Sequence, residues 1–322
     1  MDGLRESAAW LDLSARGKIR VTGEDRARLL HAMTTQDVQS LAPGQGCYAF
    51  FLNAQGRILG DVNIFCREDS FLLDTEPETR QKLYDHIDRY IIADDVTLED
   101  ITGEMATLAI EGPQAATVLE RLGAPVPEAD YATRSWSGSI VARVSSTGAG
   151  GYSVFMLPTK KAELIAALDI PEATPEQARA VRLEHGKPRY GEEITERYLV
   201  QETAQLNAVS FSKGCYLGQE IVERVRSRAQ IHSTNGYESR RQNAFADLGS
   251  SKLKAAAAAS AIALVTTKLA PGQSTDGAVF YPNQGKPLGT GKLILNMAGE
   301  TYVFPLEDAA AVKLEHEHAR VP

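Results

Sequence analysis

Lys213-Gly214-Cys215-Tyr216-Leu217-Gly218-Gln219-Glu220 is the stretch on which the reading of this chain turns. Gly214 and Gly218 permit tight backbone turns. Before it, Val209-Ser210-Phe211 alternates like a strand. After it, Gln219 to Arg224 reads as the start of a helix. Cys215 is then expected just ahead of a helix N-terminus with Lys213 close by, and both features favour the reactive thiolate. Spacing alone also fits a small residue filling a turn.

Upstream, Gly17 to Thr22 places Ile19 and Val21 on one side, as a strand does. Thr22 is the expected N-cap of a helix whose apolar face is Leu29, Leu30 and Met33. Three strand-like runs follow, Cys47 to Leu52, Arg57 to Phe65 and Phe71 to Asp74, separated by turn residues. They predict an antiparallel meander. Leu83, Ile87 and Tyr90 are spaced for one face of a helix over 77–90. A similar order then recurs. Strands are predicted at Ala106 to Ile110, Ser139 to Val144 and Tyr152 to Leu157. Helices are predicted at Pro113 to Leu122, Lys160 to Leu168 and Pro175 to His185. The pattern is that of an α+β fold in two units, consecutive or interleaved. After Arg228, short strands at Gly277 to Tyr281, Pro287 to Leu295 and Glu300 to Pro305 predict a small β-domain. Ser250 to Lys268 is alanine-rich and has the composition of a helix.

The 322 residues carry 34 Lys and Arg against 42 Asp and Glu, a net charge of −8. That argues against general nucleic-acid binding, which needs a cationic surface. No apolar run is long enough to cross a bilayer, and the start of the chain lacks the order of a secretory signal. A cytoplasmic location is the expectation. Cys47, Cys66 and Cys215 are too few and too scattered for a disulfide framework, and no C-x-x-C pair offers a metal or cluster site. His316-Glu317-His318 reads as a solvated tail. Gly148 to Gly151 lacks the Lys and Ser/Thr of a phosphate loop. No metal is expected.

Lys-Gly-Cys-Tyr-x-Gly-Gln-Glu resembles the signature of the YgfZ-type folate-binding proteins, relatives of the aminomethyltransferase (T-protein) of the glycine cleavage system. Further stretches resemble the same family in order: Val21 to Leu30, Thr35-Gln36-Asp37-Val38, Tyr48 to Asp61, and Arg182 to Pro188 with Tyr190 to Glu193. The resemblance runs from about residue 18 to residue 226. It implies a GcvT-like fold, with two interlocked α/β units and a small C-terminal β-barrel around a central folate cavity. On that reading residues 1–228 form the folate-binding region, in units of about 1–103 and 104–228, and residues 229–322 form the barrel.

The resemblance also implies roles. Asp61 would orient a nitrogen of tetrahydrofolate, with Tyr48 on the same meander. Glu184 would receive the pterin ring through paired N–H bonds. Arg224, with Arg226 and Arg228, would attract the glutamate tail. Cys215 would be a reactive thiol within the motif Lys213, Gly214, Cys215, Tyr216, Gly218, Gln219 and Glu220. The implied function is a tetrahydrofolate-binding accessory factor in assembly or repair of iron–sulfur proteins, with assembly proteins or client enzymes as partners. The alternative is a tetrahydrofolate-dependent aminomethyl- or methyltransferase, which Asp61 favours. Three departures accompany the resemblance. Ser227 to Gly236 does not match, Ser250 to Lys268 has no counterpart, and similarity returns only near Gly285 to Thr290 and Leu306 to Ala310.

Overall fold

A computed structural model of the protein describes residues 3–232 and the strand residues 291–297 and 300–306. Its chain divides into two compact units, 1–278 and 279–322.

The first unit begins with α1 (Gly3–Glu6) and β1 (Ala9–Asp12), then β2 (Gly17–Thr22), α2 (Arg26–Met33), β3 (Gly46–Leu52), β4 (Ile58–Cys66), β5 (Phe71–Thr75), α3 (Arg80–Asp88) and β6 (Thr97–Asp100). It continues through β7 (Ala106–Glu111), α4 (Ala115–Arg121), β8 (Thr133–Trp136), β9 (Ser139–Ala142), β10 (Gly151–Met156), α5 (Lys161–Leu168), α6 (Pro175–Glu184) and α7 (Gln219–His232). Two five-stranded antiparallel sheets result, ordered β3-β4-β5-β2-β6 and β1-β7-β10-β9-β8. The fold class is α+β, and the first sheet holds the expected meander.

One strand crosses over, in one direction only. β1 belongs to the second sheet, where Trp10 pairs with Ile110 and Leu11 with Ala109. The first sheet puts alternate residues of β4 on opposite faces. Val62, Ile64 and Cys66 join a core with Leu83 and Ile87 of α3 and Leu29, Leu30 and Met33 of α2. Phe65, on the other face, joins Phe155 and Ile140 of the second sheet, its ring 5.5 Å from that of Phe155 and edge-on to it. The register of β3 on β4 shifts between Phe51 and Leu52, where Phe51 faces Gly60 and Leu52 faces Ile58. This bulge leaves Leu59 unpaired and sends its side chain to the helix side, in the core with Leu83.

Several local expectations are corrected. Thr22 does not cap α2. Asp25 holds the N-cap position without a side-chain cap bond, and its carboxylate instead accepts from the Asp95 amide at 2.9 Å. α3 ends at Asp88, so Tyr90 lies off the apolar face and is 40% exposed. Val209 to Phe211 is not a strand; Ser210 makes a single backbone bond to Thr35 at 2.9 Å. β1, β6 and β8, of four residues each, are too short for an alternation to declare itself. α6 starts on a capping box of Thr174 and Gln177, which contributes about 1 kcal/mol.

In the second unit, β11 (Gly291–Met297) and β12 (Glu300–Leu306) form an antiparallel hairpin. The expected barrel otherwise lies outside the described residues, as do the strand Gly277 to Tyr281, the alanine-rich stretch and His316-Glu317-His318. No helix among the described residues is long and apolar enough to cross a membrane.

Candidate functional site

The face of the first sheet turned away from α2 and α3 carries a buried polar cluster. Asp61 and Asn63 alternate with Val62 on β4, so both share the face of Phe65. Tyr48 pairs with Asn63 across β3–β4, which makes Asp61 its diagonal neighbour. The Tyr48 hydroxyl donates to Asp61 Oδ2 at 2.8 Å. Asn63 pairs with Asp74 of β5 and donates to Asp74 Oδ2 at 2.9 Å. From the β1–β2 turn, Arg16 reaches Asp74 at 2.9 Å and also pairs with Glu76. Arg189, in the loop after α6, reaches Glu76 at 2.9 Å and Glu78 at 2.8 Å. The turn that carries Arg16 is pinned by Lys18. Its fully buried ammonium donates to the carbonyls of Ser14 and Arg16 at 2.9 and 2.8 Å.

The three carboxylates are not served alike. Asp74 and Glu76 take the guanidinium bonds. Asp61 takes one phenol, and its Oδ1 is buried with no hydrogen-bond partner among the described residues. Burial, and then the nearby Glu76 charge, push the Asp61 carboxyl up to about 6 against the pull of Arg16 and the Tyr48 hydroxyl. The Tyr48 phenol is pushed well up by burial and by the Asp61 charge, so it stays a donor. Arg16 is held firmly protonated, because Asp74 and Glu76 outweigh its burial. A carboxyl poised near neutrality, fixed at one oxygen and open at the other, can accept an N–H or exchange a proton there.

The structure brings Tyr48 and Asp61 together but does not join Glu184 or Arg224 to them by any described hydrogen bond or ion pair. Glu184 ends α6 half-exposed, and Arg5 Nε donates to its Oε2 at 2.8 Å. That bond, more than the adjoining charges, lowers its carboxyl. Arg224 is exposed and pairs with Glu220 one turn earlier on α7. Arg226 lies over the Phe211 ring, 4.2 Å from its centre.

The motif forms a clasp. The Lys213 ammonium donates to the carbonyls of His31, Thr34 and Gln36, at 2.7 Å for Thr34 and 3.0 Å for Gln36. It sits 4.9 Å from the centre of the Tyr216 ring, and burial lowers it to about 8. This corrects the expectation that Lys213 serves Cys215: the ammonium closes the end of α2, and no described hydrogen bond joins the two residues. Cys215 is exposed, whereas Cys47 and Cys66 are buried. Tyr216 packs with Phe50, Leu52 and Val222. Gln219 Oε1 accepts from the Tyr216 amide at 3.3 Å, and Leu217 donates to Ala32 at 3.0 Å.

Arg16, Asn63, Asp74, Glu76 and Arg189 are cluster members that sequence reasoning missed. Only Asn63 had a signal, its shared parity with Asp61. Among the described residues, no three His, Cys, Asp or Glu side chains are grouped to hold a metal ion.

Against known proteins, the family model described as the GCVT N-terminal domain matches residues 1–213. A chloroplastic protein of Arabidopsis thaliana, given only the general name of a transferase, is 29% identical over 235 residues, 70% of this chain and 54% of that protein. An aminomethyltransferase of Rubrobacter xylanophilus is 32% identical over 251 residues, 74% of this chain and 66% of that protein. The chain thus spans between half and two thirds of the length of these relatives. The crystal structure of the glycine cleavage system aminomethyltransferase T from Bartonella henselae superposes with a TM-score of 0.64 at 22% identity, over 70% of this chain and 64% of that one.

Proposed function

Because the chain belongs to the family of the GCVT N-terminal domain, we propose that it binds tetrahydrofolate at the Asp61 face and acts as a folate-dependent transferase of the aminomethyltransferase kind. The observation that carries this reading is the buried Asp61 Oδ1 with no partner beside an oxygen already fixed by Tyr48. An amine of the reduced pterin suits that oxygen, since a carboxylate without a donor in a buried site gains most from an N–H. Tetrahydrofolate supplies the nitrogen to which a one-carbon unit is attached. Tyr48 orients the carboxyl, Arg16 pairs with Asp74 and Glu76 behind it, and Asp61 takes or returns the proton.

The test is a binding titration with tetrahydrofolate, followed by an aminomethyl-transfer assay. Asp61→Asn keeps the shape and loses the charge. It is expected to weaken binding about tenfold, as one charge-assisted hydrogen bond does, and to slow transfer about a hundredfold, within the range for a lost acid–base group. The sign of the pH dependence follows from the raised carboxyl. The ionised form that accepts the N–H predominates above about 6, so affinity should be full there and fall as the pH drops through that value. The Asn variant should show no such inflection. Absence of binding by the unaltered chain at neutral pH would remove the proposal.

A second reading rests on Cys215 as the exposed one of the three thiols. It makes the chain a folate-binding factor acting on iron–sulfur partners through that thiol. Cys215→Ala should then fail to restore iron–sulfur enzyme activity in a strain lacking the gene, and full restoration rejects this reading.

A further inference from the structure

The helix side of the first sheet holds a cleft of about 330 Å³ between the end of α3, the β3–β4 turn and the clasp. Lys82, His86, Arg89 and Tyr90 line it, with Asn53 and Leu217 opposite. It is separate from the Asp61 cluster. A Cβ placed on Gly60 would come within 3.1 Å of Thr79 and Leu83 around α3, so Gly60 faces the helices and its neighbour Asp61 faces away. Leu59, turned to the helix side by the bulge, forms part of the cleft wall.

Three observations define what the cleft would take. Arg89 is exposed, and its guanidinium has no ion-pair or hydrogen-bond partner among the described residues. His86 is only 9% exposed, and its Nε2 has no hydrogen-bond partner among the described residues. Tyr90 stands at the rim, its ring 5.4 Å from the His86 ring and edge-on to it. The other charged groups on the lining have partners of their own. Lys82 pairs with Glu196 at 2.9 Å, and Asp85 Oδ1 accepts from the Gln81 amide at 2.8 Å. A cation at a helix end is stabilised by the helix dipole without any ligand. The buried imidazole nitrogen left without a partner is what that explanation does not cover.

We propose that this cleft is a second ligand site, which takes a small flat molecule bearing one oxyanion, carboxylate or phosphate. Arg89 would pair with the oxyanion, for which a planar guanidinium is suited. His86 Nε2–H would donate to it, and Tyr90 would cover the ring. The volume admits a single substituted ring and is at the small end of ligand cavities.

The experiment is calorimetric titration of the whole chain with phenyl phosphate, benzoate and inorganic phosphate. Saturable binding of phenyl phosphate or benzoate is expected, and which of the two is tighter identifies the oxyanion. Inorganic phosphate should bind about fivefold or more weakly, for want of the aromatic contact. Arg89→Ala alters an exposed side chain and should reduce ring-anion binding about tenfold, equivalent to about 1.4 kcal/mol. Tyr90→Ala should abolish the preference for a ring. Asp61→Asn should leave this binding unchanged, which separates the site from folate binding on the other face. Absence of saturable binding, or binding indifferent to both Arg89→Ala and Tyr90→Ala, would overturn the proposal.

Discussion

Arg16→Met should lower the unfolding free energy by about 3–5 kcal/mol, the usual cost of removing one partner from a buried ion pair. Arg16 is the cation shared by Asp74 and Glu76, and all three side chains are at most 15% exposed. Methionine fills much of the same volume but leaves two carboxylates facing Asp61. Arg189 still serves Glu76, while Asp74 keeps only the Asn63 amide. The pH dependence identifies the cause. Loss of the Arg16 charge, which pulls the Asp61 carboxyl down towards about 6, raises that carboxyl further, so as the pH rises the variant's folded state holds a proton that its unfolded state has released. The deficit of the variant should therefore be larger at pH 7.5 than at pH 5. Urea unfolding at the two pH values measures it, and a deficit that is equal at both would mean that lost packing, not charge, is responsible.

Gly218→Ala should cost roughly 2–5 kcal/mol, combining left-handed backbone strain with overpacking. Gly218 has φ +84°, and a Cβ there would lie 2.7 Å from the Asn53 carbonyl oxygen and 2.9 Å from Leu52 Cβ. Neither atom is the end of a flexible side chain. The Asn53 carbonyl also accepts from Gly56 at 2.9 Å, so the turn cannot yield without losing its own closure. Gly123→Ala is the control: its φ is +68°, but nothing lies within 4 Å of the added carbon. It should cost only about 1–2 kcal/mol, the backbone share alone. Thermal unfolding of both variants checks the pair, and equal losses would refute the close approach at Gly218.

How much of this could be read in the sequence depended on range. The meander was legible because β3, β4 and β5 are apolar-rich runs of five to nine residues between turn signals. Asp61 and Tyr48 stood out because they sit on that meander. Arg16, Asp74 and Glu76 did not, since a charged residue beside a turn or at a strand end has the same local appearance whether solvated or buried. What brings them together is the β1–β2 turn meeting β5 and the loop after α6, which no local pattern announces. Lys213 shows the same limit. Its neighbour Cys215 suggested an activating charge, but the groups it serves are 177 to 182 residues away. Glu184 was assigned by resemblance alone, and its Arg5 partner lies 179 residues upstream.

The placement of β1 in the second sheet has a consequence for how the protein acquires its structure. β1 is made well before the rest of its sheet and has no strand to lie against until β7, about a hundred residues later, is made. The end of α2 waits longer still, for the Lys213 ammonium. The second sheet thus waits on a strand from the first half of the chain, and α2 of the first half waits on a side chain from the second. Formation of contacts this distant in sequence is slow. Refolding should accordingly show one late phase in which β1 and the clasp gain amide protection together, well after the β3–β4–β5 meander.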